Sequence, residues 1–221
     1  MKTEDLIDRL ARDATAVRPL PRPWKRALGW LLCALVYLAA IAGVALRRHS
    51  ALAATAEPVY ILQQTALFVT GLTAAVAAFV SVVPGTSRRV VAAPLVPGLV
   101  LAVSLVWGCV SDLRQHGTLG VASQTDWPCV LSMTLGGAFL WTILSAMLRR
   151  GASLAPGLTG TFAGAAALSM TNVEACLTRP HAFVSVVVVW HGLTSLAMIA
   201  ALAMAGRYVF GWQPATKGLS Q

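Results

Sequence analysis

The feature that most constrains this chain is a series of six long apolar runs separated by short polar stretches. The runs cover residues 27–46, about 58–83, about 90–110, about 127–148, about 154–175 and about 181–207. Each is close to the length of about 20 residues that a helix needs to cross a lipid bilayer. Because lipid offers no partner for backbone N–H and C=O groups, a continuously apolar run is expected to be helical. The sequence therefore predicts an all-α membrane protein with six transmembrane helices.

The composition agrees with this fold class, since 57% of the 221 residues are hydrophobic and only 11% are charged. Soluble domains carry about 25% charged residues, so a chain this poor in charge is too apolar to remain dissolved. In a soluble protein the net charge of +9 would suggest a nucleic-acid partner. In a membrane protein it is better explained by an excess of Lys and Arg on the cytoplasmic side, and we expect no direct contact with nucleic acid.

The distribution of Lys and Arg also predicts the orientation of the chain. With the N-terminus in the cytoplasm, about thirteen of these residues fall on the cytoplasmic side and about four in the outer loops. Positive charge in the loops is the signal that sets orientation in a membrane. Both termini are therefore predicted to be cytoplasmic, and this conclusion depends on the even number of spans.

Two local patterns bear on the shape and packing of the spans. Pro94 and Pro97 lie near the start of the third span. They predict a kink or a late helix start there, because proline removes a backbone donor and clashes with the preceding turn. Gly160 and Gly164, in the fifth span, have the spacing that lets two helices approach closely. In a chain so rich in Ala and Gly, packing within the bundle is favoured over dimerisation.

The first 26 residues are the only sizeable part of the chain that does not resemble a membrane span. Six apolar residues recur there at three- and four-residue steps, a pattern that predicts an amphipathic helix over about residues 3–17. They are Leu6, Ile7, Leu10, Ala11, Ala14 and Val17. Thr3 is a candidate N-cap, and Glu4 and Asp5 favour the positive end of the helix dipole. Because a helix this short is marginal alone in water, it must bury its apolar stripe against something.

The amphipathic helix could lie on the membrane surface, dock on its own bundle or enter a groove on a soluble partner. Surface helices usually carry mostly Lys and Arg on the polar face. This helix has four acidic residues and only three basic ones, Lys2, Arg9 and Arg12. The short loops of the bundle offer little docking area. We therefore favour a partner groove, which suits an apolar stripe with an acidic rim. The Pro-rich, basic residues 18–26 are expected to form a non-helical, stiff stem at the lipid headgroups.

The cysteines are candidates for chemistry. On the predicted topology Cys109, Cys129 and Cys176 lie near the outer face of the membrane. In an oxidising compartment they could form a disulfide, act as redox-active thiols or, with a nearby histidine, bind a metal ion. Cysteine is also a common small apolar residue in helical interiors, and we prefer that interpretation for Cys33.

The acidic residues and the missing catalytic motifs argue against two functional classes. Asp112, Asp126 and Glu174 are expected at span ends, within reach of water, and no acid is predicted near the midplane of a span. A proton- or sodium-coupled transporter generally needs such an acid. No nucleophile motif or phosphate-binding loop occurs in the sequence, so an enzyme is disfavoured and no cofactor is expected. His191, inside the sixth span, is expected to be a packed, neutral histidine.

Taken together, these residues resemble the NrsF-like anti-sigma factors of proteobacteria. Residues 2–7, Lys-Thr-Glu-Asp-Leu-Ile, match that family's Lys-Thr-acid-acid-Leu-Ile opening, and a Pro/Arg-rich spacer and six spans follow. Single cysteines at the outer ends of the fourth and fifth spans also agree, and the stretch from Cys176 to Trp190-His191-Gly192 is a softer match. The resemblance covers the whole length of the chain. The zinc-binding His-x-x-x-Cys-x-x-Cys pattern of another anti-sigma class is absent from the sequence.

The resemblance implies a protein of the bacterial inner membrane that sequesters an extracytoplasmic-function sigma factor, its partner besides the lipid bilayer, through the N-terminal segment. The expected contact residues are Thr3, Glu4, Asp5, Leu6, Ile7 and Leu10. It further implies that Cys129 and Cys176 sense a redox or heavy-metal stress in the periplasm, whereas Cys33 and Cys109 match no family position. The expected division is a partner-binding tail and stem (1–26), a transmembrane domain (27–207) and a cytoplasmic tail (208–221). A small six-span transporter or channel-like protein is the alternative.

Overall fold

The computed structural model describes residues 3–13, 21–48, 58–83, 85, 88–117, 127–151, 153, 155–178 and 183–211. In chain order the helices are α1 (Thr3–Asp13), α2 (Pro23–Arg48), α3 (Pro58–Val80), α4 (Arg88–Ala92), α5 (Leu95–His116), α6 (Trp127–Leu148), α7 (Pro156–Thr178) and α8 (Val184–Val209). Within α8, a π-helical stretch, Val187–Gly192, interrupts the α-helical geometry. These described residues contain helices and turns but no strand, so the predicted all-α class is confirmed.

Five helical stretches are long and apolar enough to cross a membrane, as judged over the described residues. They are Pro23–Val44, Pro58–Val80, Arg89–His116, Trp127–Leu148 and Val184–Val209. Five of the six predicted spans therefore have the length and composition of a span. The remaining one forms α7, which is as long as the others but less apolar. Since α7 packs against α2, α3, α6 and α8, protein rather than lipid covers most of its surface, and its role as a span stays a prediction.

The long helices run alternately up and down, so the bundle has two distinct ends. We call one the cysteine end, because it holds Cys129 at the start of α6 and Cys176 near the end of α7. There the hydroxyl of Tyr60, near the start of α3, donates to the backbone carbonyl of Cys176 at 3.1 Å. We call the other the arginine end, because Arg26, near the start of α2, lies there. Its guanidinium donates to the carbonyl of Met147 and lies 4.8 Å from the ring centre of Phe79.

The contact between α7 and α8 is built from small residues. A Cβ atom added at Gly160 would lie 3.0 Å from the carbonyl oxygen of Leu202 and 3.1 Å from the Cα of Gly206. A Cβ atom at Gly206 would lie 2.8 Å from the Cα of Gly160. The two backbones are therefore in direct contact, which only glycine allows at this distance. Gly164, one turn along α7, also faces α8 at Leu202, so the glycine pattern serves packing within the chain.

The prediction of a non-helical stem over residues 18–26 is wrong for residues 23–26, which belong to α2, and residues 18–20 lie outside the described residues. The helix already begins at Pro23, and the amides of Lys25 and Arg26 donate to the carbonyl of Arg22 at 3.0 and 3.4 Å. Proline is tolerated in the first turn because its missing N–H would have no partner within the helix. Arg26 is only 8% exposed and contacts Met147 and Phe79 rather than lipid headgroups. The expected domain boundary between residues 26 and 27 thus falls inside a helix.

The prolines of the third span act as predicted. A short helix, α4, ends at Ala92, and α5 begins at Leu95 with Pro94 in the N-cap position. The late start follows from the missing backbone donor of proline and from its clash with the preceding turn.

Candidate functional site

The N-terminal segment contains helix α1, Thr3–Asp13, with Glu4 and Asp5 in its first turn. The two acids lie where the helix dipole favours negative charge. The predicted extension to Val17 lies outside the described residues, which stop at Asp13 and resume at residue 21. The predicted amphipathic helix over about residues 3–17 therefore stays a prediction.

Every side chain of α1 that the structure describes is exposed. They are Thr3, Glu4, Asp5, Ile7, Asp8, Ala11 and Arg12. Ile7, one of the residues of the predicted stripe, is 58% exposed. Leu6 and Leu10 lie on α1, but their side chains are outside the part that the structure describes. An uncovered apolar residue beside acidic side chains gives this helix a surface that can bind a complementary groove.

At the cysteine end, Cys129 lies on α6 and is fully buried. It packs in a small cluster with Met133 of its own helix and with Ala175 of α7. Cys176, the next residue of α7, is also buried and faces a cavity between α3, α5, α7 and α8. The structure thus brings both predicted sensor residues to one end of two neighbouring helices. Because thiol reactivity follows exposure, an oxidant or metal ion can reach Cys129 only after local opening of this end.

The other predicted chemical residues are not gathered around this pair. Cys33 is exposed on α2, and Cys109 is half-buried on α5 beside an apolar groove. His116 is exposed and packs edge-to-face on Phe183, with ring centres 4.9 Å apart. Over the residues that the structure describes, no group of three His, Cys, Asp or Glu side chains is placed to hold a metal ion. His181 and Asp126 lie outside those residues.

Glu174 corrects the expectation that the acids at span ends are accessible to water. It is only 5% exposed, next to Ala175 and Cys176 on α7. The hydroxyl of Ser132 on α6 donates to its two carboxylate oxygens at 3.0 and 3.1 Å, and the hydroxyl of Tyr37 on α2 lies 3.4 Å from Oε2. A buried carboxylate needs such donors, and here they come from two other helices. Glu174 therefore joins α2, α6 and α7 directly beside the cysteine pair.

Asp112, near the end of α5, is buried in the same way rather than exposed to water. Its Oδ2 accepts the backbone N–H of Ser185 at 3.0 Å and the hydroxyl of Ser185 at 3.1 Å. Because the first N–H groups of a helix have no partner within that helix, Asp112 acts as a cap supplied by a different helix. Sequence spacing cannot reveal this contact, since the two residues are distant in the chain.

His191 is buried, as expected for a packed histidine, and lies in the π-helical stretch of α8. The adjacent Trp190 packs edge-to-face on Trp127 of α6, with ring centres 5.5 Å apart. A π-helical turn is rare and frequently marks a functional position. No sequence signal predicts it, because the residues of this stretch are ordinary for a membrane helix.

Comparison with models of protein families shows which family this chain resembles. The model of a protein family described as NrsF, negative regulator of sigma F, matches residues 10–212. The matched region contains α2 to α8 and both cysteines of the proposed sensor, and begins after the Lys-Thr-Glu-Asp-Leu-Ile opening. Neither the curated proteins nor the solved structures give a match.

Proposed function

Because this chain belongs to the NrsF family of negative regulators of sigma F, we propose that it is an anti-sigma factor that holds an extracytoplasmic-function sigma factor at the bacterial inner membrane. The family is regulatory rather than catalytic. The observation that carries the proposal is the match over residues 10–212, which includes nearly the whole helix bundle. A sigma factor held in this way is kept from RNA polymerase until it is released.

The sigma factor binds α1 in this proposal. Leu6, Ile7 and Leu10 enter an apolar groove on the sigma factor, and Thr3, Glu4 and Asp5 contact its rim. Two observations support this assignment: the exposure of Ile7 and the exposure of every other described side chain of α1. Each buried Leu or Ile side chain contributes about 1.5–3 kcal/mol, so three of them supply a substantial part of a stable contact.

The paired substitution Leu6→Asp and Leu10→Asp tests the tail contact. Burying two carboxylates in an apolar groove should weaken sigma-factor binding by at least about 100-fold. Arg12→Asp is the matched control, since it changes the net charge by the same two units on the exposed polar face of α1. The measurement is co-purification of the cell's own sigma factors with each full-length variant. Undiminished co-purification with the paired variant would contradict the tail contact.

Release is controlled from the cysteine end. An oxidant or a heavy-metal ion that modifies Cys129 adds volume or charge at a fully packed site, so α6 and α7 can no longer keep their packing. Modification of Cys176 adds volume or charge beside the same contact, at the wall of the cavity. Glu174 links α7 to Tyr37 of α2, and α2 leads directly to the N-terminal segment. In this proposal the bundle has two packings, a tight one that holds the sigma factor and a looser one that releases it. A signal can shift the equilibrium only by favouring one packing, and modification of a buried thiol favours the looser one.

The orientation follows if α7, the predicted fifth span, also crosses the membrane and brings the number of spans to six. The Lys and Arg bias then puts both termini and the arginine end in the cytoplasm, where α1 meets the sigma factor. The cysteine end then faces the periplasm, where oxidants and metal ions arrive first. The contact of Gly206 with Gly160 supports this arrangement, because it holds the end of α8 beside the start of α7.

A further inference from the structure

A cleft separates α5 from α8 over most of their length. At the cysteine end the two helices touch, since a Cβ atom at Gly108 of α5 would lie 2.7 Å from Cγ1 of Val184. The bonds from Ser185 to Asp112 hold the same contact. Beyond the first turn of α8 the two helices diverge and make little contact. The space between them, closed behind by α3 and α7, is a cavity of about 430 Å³.

The cavity opens sideways toward the lipid. Ala102 of α5 and Leu196 of α8 line it, and both are exposed on the surface of the bundle. Exposed apolar side chains in the middle of membrane helices face acyl chains, so a ligand enters from the bilayer rather than from water. The cavity volume lies within the range of about 300–1,000 Å³ that is typical of ligand pockets.

A hydrogen-bonding pair lies at the wall of this cavity. Asn172 of α7 is only 8% exposed, and its Nδ2 donates to the carbonyl of Leu168 at 2.8 Å and to Oγ of Ser195 at 2.9 Å. Both side chains line the cavity. In these two bonds Asn172 uses only its amide nitrogen, and the hydroxyl of Ser195 acts only as an acceptor. An amide oxygen can still accept a hydrogen bond and a hydroxyl can still donate one, so an acceptor and a donor lie side by side at the cavity wall.

The remaining wall limits the chemistry of that ligand. The residues that line the cavity are apolar or neutral, with no Asp, Glu, Lys or Arg among those described, so a charged group would lie in the cavity without a counter-charge. The π-helical stretch of α8 contributes Val188, His191 and Gly192 to the wall, and such stretches frequently accompany binding sites.

We propose that this cleft binds an uncharged lipophilic alcohol from the bilayer. A hydroxyl group is both a donor and an acceptor, so one hydroxyl can donate to Oδ1 of Asn172 and accept from Ser195. The apolar part of the molecule fills the space between α5 and α8 and extends into the lipid. A plain acyl chain lacks the hydroxyl, and a fatty acid carries a charge that the wall does not neutralise. Binding of the alcohol requires only the bundle and is independent of the sigma factor.

The test is photo-crosslinking of the full-length protein in lipid nanodiscs. The probe is hexadecanol carrying a diazirine in its chain, and the matched probe is the same diazirine-bearing alkane without the hydroxyl. The proposal expects saturable labelling of α5 and α8 by the alcohol at concentrations where the alkane labels about fivefold less, the effect of about one hydrogen bond. Labelling of equal strength by the two probes would overturn the proposal, because the cleft would then hold acyl chains only.

Two glycines provide a matched pair of variants. A Cβ atom at Gly192, on the cavity wall, meets nothing within 4 Å, so Gly192→Leu is a suitable substitution for adding volume at the cleft. A Cβ atom at Gly98 is equally unobstructed, and Gly98 does not line the cavity. Labelling by the alcohol should fall about tenfold in Gly192→Leu and stay unchanged in Gly98→Leu. Unchanged labelling in both variants would overturn the proposed site.

Ser195→Ala tests whether the hydrogen bond to the hydroxyl of the alcohol contributes to binding separately from the occupation of the cleft by its chain. It removes the proposed donor and little volume, so labelling by the alcohol should fall about fivefold while labelling by the alkane stays the same. A Ser195→Ala variant that labels with the alcohol as strongly as the wild type would contradict the assigned hydrogen bonds.

Discussion

The two ends of the helix bundle are held together by different means. At the arginine end, the backbones of α7 and α8 touch at Gly160 and Gly206. A chain of hydroxyl groups runs from Ser81 through Thr159 to Ser153, with 2.8 Å at each step. Direct backbone contacts leave no room for sliding, because interiors packed at this density transmit strain rather than absorb it.

The cysteine end is held by side chains that reach between helices. Glu174 and Asp112 are buried carboxylates that accept hydrogen bonds from neighbouring helices, and Cys129 and Cys176 lie at the same end of the bundle. Side-chain hydrogen bonds can exchange partners, whereas touching backbones cannot, so this end can adopt a second packing at lower cost. Under the proposed function, we therefore expect the cysteine end to receive the signal and the arginine end to anchor α2 and the tail.

The largest loss in the free energy of unfolding is expected from Gly206→Leu at the arginine end. Its Cβ would lie 2.8 Å from the Cα of Gly160 and 3.1 Å from the carbonyl oxygen of Pro156, and backbone atoms cannot move aside. We expect a loss of about 3 kcal/mol in the free energy of unfolding. The measurement is thermal unfolding in detergent, followed by tryptophan fluorescence.

Gly43→Leu on α2 is the matched control for this substitution. A Cβ atom at Gly43 meets nothing within 4 Å, so the same change should alter the free energy of unfolding by less than about 0.5 kcal/mol. Equal melting temperatures for the two variants would show that backbone contact does not hold the arginine end, and the comparison between the ends would fail.

An intermediate effect is expected from Glu174→Leu at the cysteine end. The substitution leaves the hydroxyls of Ser132 and Tyr37 without this acceptor, which should lower the free energy of unfolding by about 1–3 kcal/mol. Glu174→Gln keeps an acceptor oxygen and should cost clearly less. The same melting experiment compares them, and a Gln variant as unstable as the Leu variant would rule out hydrogen bonding as the role of Glu174.

The smallest effect is expected from Ser185→Ala. It removes one of the two bonds to Asp112 and keeps the backbone N–H donor, so the loss should be about 1 kcal/mol. Ser111→Ala is the control, because the hydroxyl of Ser111 accepts only an exposed bond from Gln115 on its own helix. If the two variants melt at the same temperature, the link between α5 and α8 contributes nothing to stability.

The sequence predicts the positions of the helices better than it predicts which of their side chains are buried. The bounds of α6 agree with the predicted fourth span, since a continuously apolar run with polar flanks defines a helix on its own. The break at Pro94 follows from local chemistry in the same way. Local propensity and backbone restriction suffice for these features, because each depends on residues that are adjacent in the chain.

Burial, in contrast, depends on residues that are distant in the chain. Glu174 lies near the end of an apolar run, where water access is the ordinary expectation, yet neighbouring helices enclose it. The inward-facing position of Asn172 could have been predicted from the sequence, because an amide side chain inside an apolar run usually has a functional or packing role. The contact between Asp112 and Ser185 has no local signature at all. Tertiary packing decides these positions, and only the structure provides it.

The most direct measurement is release of the sigma factor from the purified full-length protein in lipid nanodiscs after treatment with a thiol oxidant. The wild type and the control pair Cys33→Ser with Cys109→Ser should both release most of the bound sigma factor. The pair Cys129→Ser with Cys176→Ser should retain it, because the cysteine end then cannot be modified. Release from this last variant equal to that from the wild type would contradict control of the tail by the cysteine end.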